Sequence, residues 1–204
     1  MTVFERLASV RGIRSDVPNQ ELAKELVEKG DFEAIREIAD HLQHEDKGIQ
    51  SDCIKVLYEI GYIKPELIAD YVDDFIGLLE SKNNRLVWGA MIALSTITGI
   101  YAGDIFIARE RIMRAIEKGS VITVDAGIRT LSGVAAAEAE YNSILFPYLL
   151  EKLRHCRPKS VAQYAESIFS AVTEENKQQY ANALRDREKD LNPSQLKRIN
   201  KFLN

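Results

Sequence analysis

What the chain lacks narrows its function first. There are only two cysteines, Cys53 and Cys156, far apart and without C-x-x-C spacing, so neither a disulfide framework nor a zinc site is indicated. Both are expected to be reduced thiols in a core. No run of 18 consecutive apolar residues occurs, and the opening stretch MTVFERLASVRGIR carries charge from Glu5 onward without the apolar centre of a signal peptide. The expectation is a cytoplasmic protein with no membrane association. Neither charge sign dominates: 27 basic residues face 31 acidic ones, for a net charge of -4. That balance argues against a broad nucleic-acid-binding surface and leaves room for a local basic patch. There is no Gly-rich phosphate loop, no Gly-x-Ser-x-Gly elbow and no cysteine with a credible histidine partner. Each absence lowers the case for an ordinary enzyme, and no cofactor is expected. Tryptophan occurs once, at Trp88, inside the otherwise bland stretch NNRLVWGAMIALSTIT.

What is present is a repeat. Sliding the chain against itself by 37 residues superposes Leu57, Leu94, Leu131 and Ile168, then Leu42, Leu79, Ile116 and Leu153, then Ile38, Phe75, Ile112 and Leu149. Four further columns agree: Ala34, Tyr71, Ala108, Leu145; Ala39, Ile76, Met113, Leu150; Ile54, Met91, Ile128, Ala165; and Ile60, Ile97, Val134, Ala171. With 46% apolar residues, a four-copy column is apolar by chance with probability about 0.045, so roughly two of the 37 columns would qualify. Seven do. Positions 34, 38, 39 and 42 fall on one helical stripe and 54, 57 and 60 on another, with a polar break between them. Two helices per repeat follow.

The breaks are short polar turns at 45–48, 82–84, 118–120 and 157–159, of the kind that join antiparallel helices. Pro65 and Pro158 are placed to open helices, Pro147 to lie inside one, and Asp31, Thr173 and Asn192 to act as N-caps. The predicted architecture is all-α: a single α-solenoid domain over 1–204, with cap helices in 1–30 (near 3–10 and 19–29), four repeats in 31–172, and two cap helices in 173–204. Terminal units of a stack are atypical because one face meets water.

The second helix of the second copy reads L-V-x-G-A-x-x-A-L through Leu86, Val87, Gly89, Ala90, Ala93 and Leu94. Over roughly residues 31–172 the chain resembles the HEAT and armadillo-type helical repeats, which implies a right-handed α-α superhelix with the second helices on its concave side. It departs from the usual polar ladder: the Arg column holds Gln50, Val87, Val124 and Val161, and the Asp column is not kept, so the resemblance is to a HEAT-like stack with a valine seam.

Register then assigns an inner face. One row is Ser51, Trp88, Asp125 and Ala162; the next Lys55, Ile92, Arg129 and Glu166; the third Tyr58, Ser95, Ser132 and Phe169; the fourth Glu59, Thr96, Gly133 and Ser170, with Tyr62 at the lip. The binding residues expected from it are Trp88, Asp125, Arg129, Lys55, Tyr58, Ser95, Ser132, Phe169 and Glu166, since an aromatic beside an arginine is a frequent hot spot. The alternative is that Trp88 fills the seam between repeats. Other clusters read more simply as solvated surface: Asp70, Asp73 and Asp74 on one helix face, His41 and His44 at a helix end, and the basic residues Arg185, Arg187, Lys189, Lys197, Arg198 and Lys201 of the C-terminal helices. No metal site is expected.

The resulting function is a non-catalytic interaction or scaffold module that holds a protein or peptide on its concave face, as a monomer or dimer. One alternative comes from the resemblance: some HEAT-like proteins are DNA glycosylases of alkylated bases, with an Asp, an Arg and aromatics on the concave side, a set that Asp125, Arg129 and Trp88 match in kind. A third is a HEAT-like pigment lyase or chaperone, for which no residue here speaks. Acidic balance weighs against nucleic acid as the partner.

Overall fold

The computed structural model describes residues 2–203 and is all-helical. A 3-10 turn, Phe4–Arg6, stands where a first cap helix is expected; three residues of apolar spacing are too few to propagate an α-helix. Then come α1 (Val17–Lys29), α2 (Phe32–Asp40), α3 (Lys47–Ile63), α4 (Val72–Leu78), α5 (Asn84–Thr96), α6 (Ala102–Ile107), α7 (Arg109–Lys118), α8 (Val121–Ala137), α9 (Ala139–His155), α10 (Pro158–Ile168), α11 (Lys177–Arg185) and α12 (Pro193–Asn200).

Local chemistry sets the ends. Asp46 accepts from the backbone N–H of Gly48 and Ile49 to start α3, Asn83 from Arg85 to start α5, and Ser120 from Thr123 to start α8. These three caps stand 37 residues apart, each worth about 1 kcal/mol by the usual cost of an alanine there. At the fourth position stands Arg157, and Pro158 opens α10 instead, where a missing N–H is tolerated. Asp31 caps α2, and Asn192 forms a capping box with Gln195 at α12. Gly30 ends α1 with φ at 61°, a conformation that costs a Cβ-bearing residue dearly. Two expectations need correcting. Thr173 caps nothing; its backbone N–H donates to Asn176, which precedes α11. Pro65 opens a 3-10 turn, Pro65–Leu67, followed by another, Ala69–Tyr71, before α4 begins.

The helices pack in a series. α1 lies against α3, α3 against α5, α5 against α8, α8 against α10 and α10 against α12. A second set lies alongside: α2 on α3, α4 on α5, α6 and α7 on α8, α9 on both α8 and α10, and α11 on α9. The buried interior is one connected cluster reaching from Val3 to Ile199. Side chains 37 apart share its fate: Leu57, Leu94, Leu131 and Ile168 are all 0% exposed, as are Ile54, Met91, Ile128 and Ala165. Close approach of α3 and α5 requires Gly89, because a Cβ there would sit 2.7 Å from Ile54 Cγ1. No helix of the described residues is long and apolar enough to cross a membrane.

Candidate functional site

The residues expected on one face lie on α3, α5, α8 and α10, but the series of helices leaves less of each free than the repeat register implies. α3 is flanked by α1 and α5 and backed by α2, so only a narrow ridge meets solvent. Ser51 and Ala162 are buried, so the two ends of their row face neighbouring helices, whereas Trp88 and Asp125 between them stay partly exposed. Ser132 is 1% exposed and its hydroxyl donates to the Ile128 carbonyl at 2.7 Å, so it is unavailable to a partner. Ser95 is partly exposed, with its hydroxyl donated to Ile92 O at 2.7 Å. Tyr58, at 5% exposed, is an interior side chain with a polar tip.

Around Tyr58 the structure gathers a compact group. Trp88 packs against it with ring centroids 5.9 Å apart, and Tyr62 meets it edge-on at 6.0 Å. Trp88 itself is half-buried against the core, whereas Tyr62 and Ile63 are exposed. Lys55 is spent within this group. Its Nζ donates to Glu59 at 2.6 Å, lies 3.9 Å from Asp16 and 4.9 Å from the Tyr58 ring centre. Burial works against the Lys55 charge, but Glu59 and the Tyr58 hydroxyl outweigh it and the ammonium is held above its ordinary pKa. The Tyr58 hydroxyl is raised in turn, chiefly by burial. Arg129, on α8, is exposed and forms no ion pair or hydrogen bond among the described residues, so it is the free cation of this face.

Asp125 belongs to a different setting. With Gly119, Val121, Val124, Cys156, Arg157 and Tyr164 it lines a pocket of about 290 Å³, and its Oδ1 is buried without a hydrogen-bond partner. Trp88 and Arg129 are not among the lining residues. Tyr164 is raised by burial and then by the Asp125 charge, so its phenol stays protonated at neutral pH.

The two remaining candidates contact the C-terminal segment, Phe169 while staying 48% exposed. Glu166 is bridged by Arg198 of α12 at 2.5 Å and by Lys201, just after that helix, at 3.6 Å, which holds its carboxyl below the usual range. Phe169 rests on Phe202, centroids 4.8 Å apart, and on Tyr180 at 6.2 Å. Arg187, read from sequence as solvated, is 7% exposed. Its guanidinium donates to the carbonyls of Leu153, Arg154 and Cys156 at 2.7–2.8 Å and to Asp190 at 2.8 Å, capping the C-terminus of α9. Nothing local to residue 187 announces this; only the path of α11 back to the end of α9 creates it.

Elsewhere, Asp70 accepts from the Tyr101 hydroxyl at 2.8 Å, and Asp74 is raised by burial and by the charges of Asp73 and Asp40. His41 and His44 stack on each other, and both rings lie tilted against Phe4. Among the described residues no group of three or more His, Cys, Asp or Glu side chains gathers as a metal ion would require. Cys53 is fully buried, and desolvation followed by the Asp52 charge pushes its thiol up to about 12; burial also raises Cys156. In the native protein Cys53 should therefore stay unreactive toward an aromatic disulfide reagent at about pH 8, with both thiols titrating once the chain is denatured. Two rapidly reacting thiols in the native state would contradict this placement.

The chain matches no protein-family model and no curated protein. Its fold is similar to that of an engineered protein, a Northeast Structural Genomics Consortium target solved by crystallography, at a TM-score of 0.57 and 16% identity over 100% of this chain and 90% of that one; at that identity the likeness is one of fold alone.

Proposed function

We propose that the chain is a HEAT-like α-solenoid of four helical pairs with helical caps, a single domain over 1–204, and that it acts as a non-catalytic interaction module. The serial packing α1–α3–α5–α8–α10–α12 and the matched burial of side chains 37 apart support the stack. The binding face is the ridge of inner helices around Trp88. One observation carries it: the aromatic run Tyr62, Tyr58, Trp88 passes from an exposed side chain to an interior one, and Arg129 on the adjoining helix has no ion pair or hydrogen bond among the described residues. Aromatic side chains fixed by packing, with a free guanidinium on the next inner helix, give a partner large contact area at little entropic cost. The partner is a protein or peptide that offers an apolar side chain to the aromatics and a carboxylate to Arg129.

Affinity capture with the full chain as bait tests this. Replacing both Trp88 and Arg129 by alanine should reduce recovery of the partner by at least about tenfold, and Arg129→Ala alone, at an exposed site that leaves the fold intact, several-fold. Equal recovery with both baits, at unchanged circular dichroism, would defeat the assignment.

A second reading, a DNA glycosylase, has one observation in its favour: the buried Asp125 Oδ1 without a partner, facing a pocket with Tyr164. Such a carboxylate would stabilise positive charge developing at a sugar. No retention on duplex DNA at low salt would remove this reading.

A further inference from the structure

Away from the Trp88 ridge, the turn at 79–82, the start of α5 and one side of α7 enclose an open groove of about 480 Å³. Four cations line it, Lys82, Arg111, Arg114 and Lys118, against one carboxylate, Glu80, which Arg111 already engages at 3.1 Å. Lys82, Arg114 and Lys118 form no ion pair or hydrogen bond among the described residues. In a chain whose net charge is -4, this is a local excess of the opposite sign.

Arg111, Arg114 and Lys118 follow one another at i, i+3 and i+7 on a single stripe of α7, so like charges face each other across successive turns. The C-terminal dipole of α7 favours Lys118, but it accounts for neither Arg114 nor Lys82. The neighbouring start of α5 has no acidic residue in its first turn, so its positive dipole end adds to the same field. The floor is apolar, formed by Leu79, Val87 and Ala115.

We infer that this groove docks an acidic peptide segment of a partner protein, one in which carboxylates flank an apolar residue. Lys82, Arg114 and Lys118 are exposed on long stems, and the stripe from Arg111 to Lys118 runs about 10 Å along α7, at 1.5 Å per residue, a span that an extended chain covers in about three residues. An enclosed phosphate site would instead present a buried guanidinium or a nest of backbone N–H groups. A nucleic-acid duplex would need many more phosphate contacts than this patch offers, against the repulsion of an acidic protein.

The probe is a fluorescein-labelled octaglutamate peptide interrupted by one leucine, titrated against the full chain by fluorescence anisotropy. Binding is expected at about 20 mM salt and should weaken roughly tenfold at about 200 mM. The double charge reversal Lys82→Glu with Arg114→Glu should weaken it at least about tenfold, and the milder Arg114→Gln several-fold. Lys24→Glu, on α1, should leave it unchanged. The Trp88→Ala, Arg129→Ala chain should also keep it, which separates failure here from failure of the ridge reading. No binding at low salt, or an equal loss with Lys24→Glu, would overturn the inference. So would tighter binding of a 20-base-pair DNA duplex through the same residues, since the groove would then be a nucleic-acid surface.

Discussion

Leu131→Ala is expected to cost about 3–5 kcal/mol of stability, the upper part of the range for a leucine truncated in a core that cannot collapse around the cavity. Leu131 is 0% exposed, and its helix, α8, packs against α5, α7, α9 and α10 at once. Filling the void would require several helices to move together, and each is held by its own neighbours on the far side. In a chain of this length the loss corresponds to a fall in melting temperature of roughly 6–20 °C. The control is Leu196→Ala on the terminal helix α12, where the side chain is only partly buried and one side is open. It should cost about 1 kcal/mol, since less apolar area leaves water. Equal losses at the two positions, measured by urea unfolding, would mean that α8 is not the centre of the packing.

The second large effect is expected at Arg187. Its buried guanidinium holds three carbonyls at the end of α9 and the Asp190 carboxylate in one planar fork. Hydrogen bonds to a charged group contribute about 1.5–3 kcal/mol each, and they are not additive. Arg187→Ala leaves those carbonyls to whatever water reaches them, and a loss of about 3 kcal/mol is expected, with detachment of α11 and α12 preceding global unfolding. Arg187→Lys should recover little, because a point charge cannot span the three acceptors. Hydrogen exchange would locate the loss: faster exchange in α11 and α12 is predicted. Uniform acceleration across the chain, or a lysine variant as stable as the parent, would contradict this account of the cap.

Much of the helical layout was legible because its causes are local and periodic. Leu57, Leu94, Leu131 and Ile168 announce themselves through a spacing that any stacked pair of helices must keep, and the turns between them are short and polar. The caps Asp46, Asn83 and Ser120 carry the same spacing, and a search for capping residues at that period finds them. Less legible was whatever depends on packing between distant segments. The helix expected after Pro65 is broken into two 3-10 turns and α4. Ser132 and Ser51 face neighbouring helices because each inner helix is flanked on two sides, which narrows the free arc below what a lone amphipathic helix would show. Glu166, expected on an open face, is engaged by Arg198 and Lys201, whereas Phe169 touches Phe202 and stays about half exposed. Lys55, expected as a binding residue of the inner face, is held by Glu59 and Asp16. In the basic groove, the stripe on α7 could have been read from its spacing, but not its convergence with Lys82.

Trp88 is the only tryptophan of the chain, so indole emission reports on one place alone. The most direct test of the binding ridge is therefore to titrate the captured partner into the full chain while exciting that indole selectively. A saturable change in emission, blue-shifted as the half-buried ring loses its remaining water and absent in Trp88→Phe, is the predicted result. Saturated binding with no change in Trp88 emission would place the partner elsewhere and contradict the account.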